Sequence, residues 1–111
     1  MHIGLVGLGR MGSNMRTRLQ QHDITVTGYD TNPDVTDVSS LGDLVKALPT
    51  PRIVWVMVPA GDITHSVIKE LVGLMADGDL IIDGGNSRFT EDARHGALAH
   101  KHSVGFMDAG V

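Results

Sequence analysis

The sequence predicts a doubly wound parallel α/β sheet. Three observations carry that expectation. Short apolar runs alternate with segments of helical periodicity, the connections between them are brief and rich in Gly, Pro, Asn and Asp, and one stretch, Gly7-Leu8-Gly9-Arg10-Met11-Gly12, joins the first apolar run to the first helical pattern through a G-x-G-x-x-G turn. In such an architecture ligands sit beyond the carboxyl ends of the strands, where the strand order reverses.

Each element has its own warrant. His2–Val6 reads as a short buried strand, and Met11, Met15 and Leu19 then recur at helical spacing, giving the first helix one apolar stripe. Ile24–Tyr29 is β-branched and partly alternating, so a second strand ends at Asp30. Asn32-Pro33-Asp34 is turn chemistry. A short third strand is expected over Val35–Val38, with no full crossover helix before it. Ser39 or Ser40 caps a short helix over Leu41–Leu48 that Pro49 and Pro51 end.

Ile53–Val58 is almost uniformly apolar, as a strand covered on both faces must be, and is placed in the middle of the sheet. Asp62 is a cap for a helix with Ile63, Val67, Ile68, Leu71, Leu74 and Met75 inward, ended by Gly78. Leu80–Asp83 is the next strand, and Gly84-Gly85-Asn86-Ser87 a second glycine-rich turn. A helix to about Lys101 follows, with Phe89, Ala93, Ala97 and Leu98 inward, then a last strand over Val104–Met107. The chain stops at Asp108-Ala109-Gly110-Val111, where another loop is due, and reads as truncated.

Composition narrows the function. At 111 residues and 41% apolar content the chain is one globular domain. Net charge is −4 and the nine Lys and Arg are scattered, so nucleic acid and anionic membranes are not indicated as partners. With no cysteine there is no thiolate chemistry, disulfide or Cys-based zinc site, which suits a reducing cytoplasm. No apolar run is long enough to span a bilayer as a helix. A cytoplasmic location is expected.

The glycine turn points to a dinucleotide. Gly7 permits the tight turn, Gly9 lets backbone N–H groups approach a pyrophosphate, and Gly12 lets the helix come close, while the helix N-terminus adds partial positive charge. Asp30, at the end of the second strand, can accept both hydroxyls of an adenosine ribose. It would repel a 2′-phosphate by about 1 kcal/mol per charge pair at ~4 Å in water, so NAD is expected over NADP. As a bare residue Asp30 is also a common turn opener. Arg10 is either a phosphate contact or a solvated first-turn side chain. Asn86 reads first as a helix cap. Asp83 is open between a site carboxylate and a partner for backbone donors of the adjoining turn. His2, His22, His65, His95, His100 and His102 show no H-E-x-x-H spacing and are expected mostly on polar faces, as solvated side chains, so no metal is expected.

Together, Gly-Leu-Gly-Arg-Met-Gly-Ser-Asn-Met15, Val-Met-Val-Pro-Ala-Gly61, Ile-Ile-Asp-Gly-Gly-Asn-Ser87 and Phe-Met-Asp-Ala-Gly-Val111 resemble the Rossmann-type NAD-binding domain of decarboxylating 6-phosphogluconate dehydrogenase, across the whole chain. The Asp-Gly-Gly-Asn-Ser block favours that branch over 3-hydroxyisobutyrate and other β-hydroxyacid dehydrogenases. The resemblance implies a dinucleotide on Gly7, Leu8, Gly9, Arg10, Met11 and Gly12, an adenosine ribose among Asp30, Thr31 and Asn32, and a cofactor running along Val58, Pro59 and Ala60. It implies that Asn86 touches both nicotinamide and substrate. NADP-dependent members carry Asn-Arg-Thr where this chain has Asp30-Thr31-Asn32, a departure that supports NAD. The segment after Pro33 is also shortened, which opens the adenine side.

The implied reaction is oxidation of 6-phosphogluconate at C3, decarboxylation and tautomerisation to ribulose 5-phosphate, as in the pentose phosphate pathway. The implied lysine base and glutamate acid belong to a helical part beyond these residues, as do most contacts of the implied homo-oligomer. Residues 1–111 are thus expected to bind cofactor without turnover and to hold no catalytic residue. Two alternatives stay open: another β-hydroxyacid dehydrogenase, and a nucleotide-sensing module without catalysis.

Overall fold

The computed structural model describes residues 1–58, 62–84, 89–101 and 103–108, with backbone alone at 62, 89–94 and 108. Strands and helices alternate in the order β1 (His2–Val6), α1 (Arg10–Gln21), β2 (Thr25–Tyr29), α2 (Leu41–Ala47), β3 (Ile53–Val56), α3 (Asp62–Leu74), β4 (Leu80–Asp83), α4 (Phe89–Lys101) and β5 (Gly105–Asp108). The sheet runs β2-β1-β3-β4-β5 and every pair is parallel. The chain steps from β1 to one side, then crosses back over it to β3, so the order reverses at β1. A crevice opens there, at the carboxyl ends of β1 and β3. The predicted fold class holds, and β3 is the central strand.

Alternation along the strands feeds two cores. Val54, Val56 and Ile81 join Val6 under α2, α3 and α4, packed with Leu44, Leu48, Ile68 and Leu71. On the other face Ile3, Leu5 and Val26 meet Met15 and Leu19 of α1, with Ile53, Trp55 and Met57 beside them. Leu5, Trp55, Ile82 and Met107 share one register row across β1, β3, β4 and β5. Leu5 is fully buried, whereas Met107, at the far end of the row, is 54% exposed.

At the opposite end of the sheet from the crevice, one buried carboxylate ties the strands together. Asp79, 2% exposed, accepts hydrogen bonds from Arg52 N (2.6 Å) and Ala76 N (2.8 Å) and pairs with Arg52 Nη1 at 3.1 Å. Arg52 Nε also donates to Val45 O, the last turn of α2. Burial alone would raise the Asp79 pKa, but these donors and the guanidinium outweigh it and hold the carboxyl below its ordinary 3.8.

Several expectations are corrected. Val35–Val38 is not a strand. Asn32 Oδ1 accepts from Asp34 N and Asn32 O from Val35 N and Thr36 N, which curls the chain. The edge of β2 is then met by side chains: Thr36 Oγ1 accepts from Asp30 N and Asp37 Oδ2 from Gly28 N. With that strand gone, α2 is the crossover from β2 to β3. Its N-cap is Ser40, whose Oγ accepts from Asp43 N. β3 ends at Val56, short of Val58. α3 ends at Leu74, and Gly78 serves the later turn with φ +90°. Met11, Ile63 and Leu74 are exposed rather than inward, and in α4 Ala97 is exposed while His95 and Ala99 are buried. The predicted inward positions Phe89 and Ala93 and the predicted cap Asp62 have side chains outside the described residues.

Candidate functional site: the cleft at the carboxyl ends of β1 and β3

The turn after β1 is shaped by two close approaches. Gly7 has φ +96°, and a Cβ there would stand 2.6 Å from Met57 O. A Cβ on Gly12 would overlap Gly7 O, so the first turn of α1 lies directly on the glycine turn. Gly9 faces open space and forms the N-cap of α1 without a side-chain cap. No acidic residue occupies that first turn. The leading amides of a twelve-residue helix therefore point at the cleft with no carboxylate in their own turn, the arrangement that suits an anion.

A cavity of about 580 Å³ occupies this position. Gly7, Gly9, Arg10, Met11 and Gly12 line one end, Tyr29, Asp30 and Thr31 another, and Val6, Met57, Val58, Ile63, Val67 and Gly84 the rest. Asp30 is bound to the glycine turn itself: Oδ2 accepts from Leu8 N at 2.7 Å and Oδ1 from Asn32 N at 2.9 Å. An ionised carboxylate has about four lone-pair sites. Two are used in fixing Asp30, and two remain for a pair of neighbouring hydroxyls.

Of the predicted site residues, Gly7, Gly9, Arg10, Met11, Gly12, Asp30, Thr31 and Val58 all line this cavity. Leu8 turns away: its side chain is 5% exposed within the core under α1, and it contributes its N–H to Asp30. Asn32 is exposed and caps the 32–34 turn through Oδ1. Pro59, Ala60 and Asn86 lie outside the described residues.

Val6, Tyr29, Met57, Ile63 and Val67 line the cavity without a sequence signal as site residues, whereas Gly84 belongs to the Asp83–Ser87 loop expected at the crevice. Ile63 and Val67, four apart on α3, read as core stripe, and apolar periodicity does not distinguish a core from an apolar cavity wall. Gly84 had a signal, since it follows a strand at the sheet's carboxyl end. Its reason is local: a Cβ there would strike Trp55 Nε1 and lie 2.5 Å from Met57 Sδ.

Behind Gly84 the chain turns polar again. Asp83 and His95 are 0% and 1% exposed, with Oδ2 and Nδ1 4.0 Å apart. The His95 ring stacks on His65 at 5.3 Å and meets Phe106 edge-on at 6.0 Å. The expectation that histidines lie on polar faces therefore fails at His95. Ile81 and Asp83 share a face by the period-2 rule, and that alternation was the available sign that Asp83 points into the α3–α4 layer.

Residues 2–111 match the family described as the NAD binding domain of 6-phosphogluconate dehydrogenase. The chain is 33% identical over 122 residues to an NAD(+)-dependent, decarboxylating 6-phosphogluconate dehydrogenase of Bacillus subtilis, covering 98% of this chain and 26% of that protein. Its backbone is similar to a 3-hydroxyisobutyrate dehydrogenase of Mycobacterium tuberculosis solved with L-serine: TM-score 0.89, 25% identity, 99% of this chain and 40% of the other. It is also similar to the 6-phosphogluconate dehydrogenase of Plasmodium falciparum, whose structures include complexes with NADP+ and with 6-phosphogluconate: TM-score 0.87, 24% identity, 96% of this chain and 26% of the other. The chain thus spans between about a quarter and two fifths of the length of these proteins.

Proposed function

The chain belongs to the family of NAD-binding domains of 6-phosphogluconate dehydrogenase, and from that premise we propose that it is the cofactor half of an enzyme that oxidises and decarboxylates 6-phosphogluconate with NAD. The observation that carries the choice of cofactor is Asp30, anchored to the amide of Leu8 with acceptor capacity left over at the ribose end of the cavity. Two ribose hydroxyls complete such a carboxylate, whereas a 2′-phosphate brings like charge against it. The relative of similar sequence named as NAD(+)-dependent supports the same choice.

Within this reading the amides of the first turn of α1 receive the pyrophosphate and Gly9 leaves room for it. Met57, Val58, Ile63 and Val67 supply the apolar wall that excludes water from the cofactor. The family resemblance assigns Asn86 to both nicotinamide and substrate. Bound NAD supplies the hydride acceptor. The lysine base and glutamate acid, the helical part that carries them and the oligomer contacts are assigned to chain beyond these residues, in a cytoplasmic enzyme.

Titrating the protein with NAD and NADP tests the cofactor, and NADP binding as tight as NAD would sink the Asp30 assignment. Assaying the full-length protein for CO2 release from 6-phosphogluconate tests the reaction. The resemblance of the backbone to a 3-hydroxyisobutyrate dehydrogenase keeps a second substrate class in view. Full-length protein that oxidises a small β-hydroxyacid but not 6-phosphogluconate would replace the first reading with that one, and an Asn86→Ala variant with unchanged activity on 6-phosphogluconate would also count against it.

A further inference from the structure

A cation lies just outside the ribose end of the cavity. Arg16, on the second turn of α1, covers Gly28, where a Cβ would stand 3.3 Å from its Nη1. Gly28 precedes Asp30 by two residues, about 7 Å of extended chain. A guanidinium on a flexible stem can sweep that distance, and it is a strong, bidentate partner for phosphate.

In this structure Arg16 is held elsewhere. Its Nη2 sits 2.7 Å from Asp37 Oδ2. Asp37 is itself fixed independently: Oδ2 accepts from Gly28 N at 2.8 Å and Asp37 N donates to Gly28 O at 2.9 Å, so the carboxylate is pinned to the edge of β2. The guanidinium therefore comes to a stationary anion. Thr36 Oγ1, accepting from Asp30 N and donating to Val38 O, continues the same hydrogen-bonded run up to the cavity.

We propose that Asp37 is a second determinant of cofactor choice: by holding the Arg16 guanidinium in an ion pair at the edge of β2, it withholds from the cavity the cation that would otherwise welcome a 2′-phosphate. The inference rests on the dinucleotide reading of the cavity. Asp30 repels the extra phosphate directly, and Asp37 holds back a cation at the edge of β2.

Asp37→Asn tests this, because the amide oxygen still accepts from Gly28 N while the charge on Arg16's partner is gone. Dissociation constants for NAD and NADP are measured on the full-length protein and on its Asp37→Asn, Arg16→Gln and doubly substituted forms. Arg10 lines the cavity itself and is left unchanged throughout, so differences among these variants isolate Arg16. The expected result is an NADP affinity raised about five- to tenfold in Asp37→Asn, the size of a dianion meeting one added charge at ~7 Å in water. NAD affinity is expected to stay within about twofold.

The gain should vanish in the double variant, be missing in Arg16→Gln, and shrink as salt is raised. A merely structural pair gives a different pattern, with NAD and NADP weakened alike in both single variants and no salt-dependent change in their ratio. That pattern, or a gain that survives in the double variant, overturns the inference while leaving the site intact. Unsubstituted protein that binds neither cofactor overturns the dinucleotide reading and this inference with it.

Discussion

Gly9 and Gly12 belong to one motif but answer to different constraints. A methyl group on Gly12 overlaps the Gly7 carbonyl, whereas one on Gly9 enters open space. Gly9 has φ −67° and ψ −167°, a conformation alanine adopts freely. Gly12→Ala should therefore cost about 1–3 kcal/mol of stability as helix and turn are pushed apart, with cofactor affinity lost as well. Gly9→Ala should keep stability within about 0.5 kcal/mol and still weaken the cofactor, because the methyl takes the ligand's space. Urea unfolding and NAD titration on the two variants separate these effects.

Asp79 makes an acid-stability prediction with a definite sign. Its carboxyl is held below the ordinary aspartate value, as is that of Asp37, where burial pulls upward but Gly28 N–H and Arg16 prevail. A group whose folded pKa is depressed contributes stability that is present above its unfolded pKa and lost as pH falls through the folded one. Urea midpoints should thus be flat near neutrality and decline below about pH 4. Asp79→Asn should be less stable at pH 7 and lose less on acidification. Equal acid slopes for the two proteins would show that Asp79 is not the group responsible.

At the scale of elements, what the sequence revealed depended on whether a segment's neighbours were local. The glycine turn, a serine cap at Ser39 or Ser40 and the uniformly apolar run from Ile53 carry their reasons within a few residues; the cap is Ser40, and the strand begins at Ile53 as expected but ends at Val56 rather than Val58. Ser40→Ala removes the acceptor for Asp43 N and should cost about 1 kcal/mol. Since α2 lends no residue to the cavity, NAD affinity should not change with it.

Val35–Val38 misled because valine spacing resembles a strand, while the side chains of Asn32, Thr36 and Asp37 offered the backbone closer partners than a ladder would. Met11 and Ile63 misled for another reason. Helical periodicity reports that a face is apolar, not whether protein or ligand covers it. His95 shows the converse, a polar residue made a core residue by the His65 and Phe106 rings brought to it from α3 and β5.

At the scale of the molecule, the topology was legible because a parallel sheet with short loops leaves few ways to connect the strands. The cavity was only half legible: its glycine-turn and Asp30 ends follow from motifs, and its apolar wall depends on how α3 docks. Because the lining runs from Val6 to Gly84, the cavity exists only when both sides of the sheet are in place. A bound cofactor should therefore stabilise the whole fold, by about 2.7 kcal/mol at a hundredfold excess over Kd. A concentration-dependent rise in melting temperature with NAD would register it, and a melt unmoved by saturating NAD would contradict it.

The position of β1 between β2 and β3 gives the site a history as well as a shape. The glycine turn and β2 are translated before the wall formed by Met57, Val58, Ile63 and Val67. The nascent chain carries the fingerprint before it has a cleft. A cleft with its apolar wall in place therefore requires the crossover to β3 and the docking of α3.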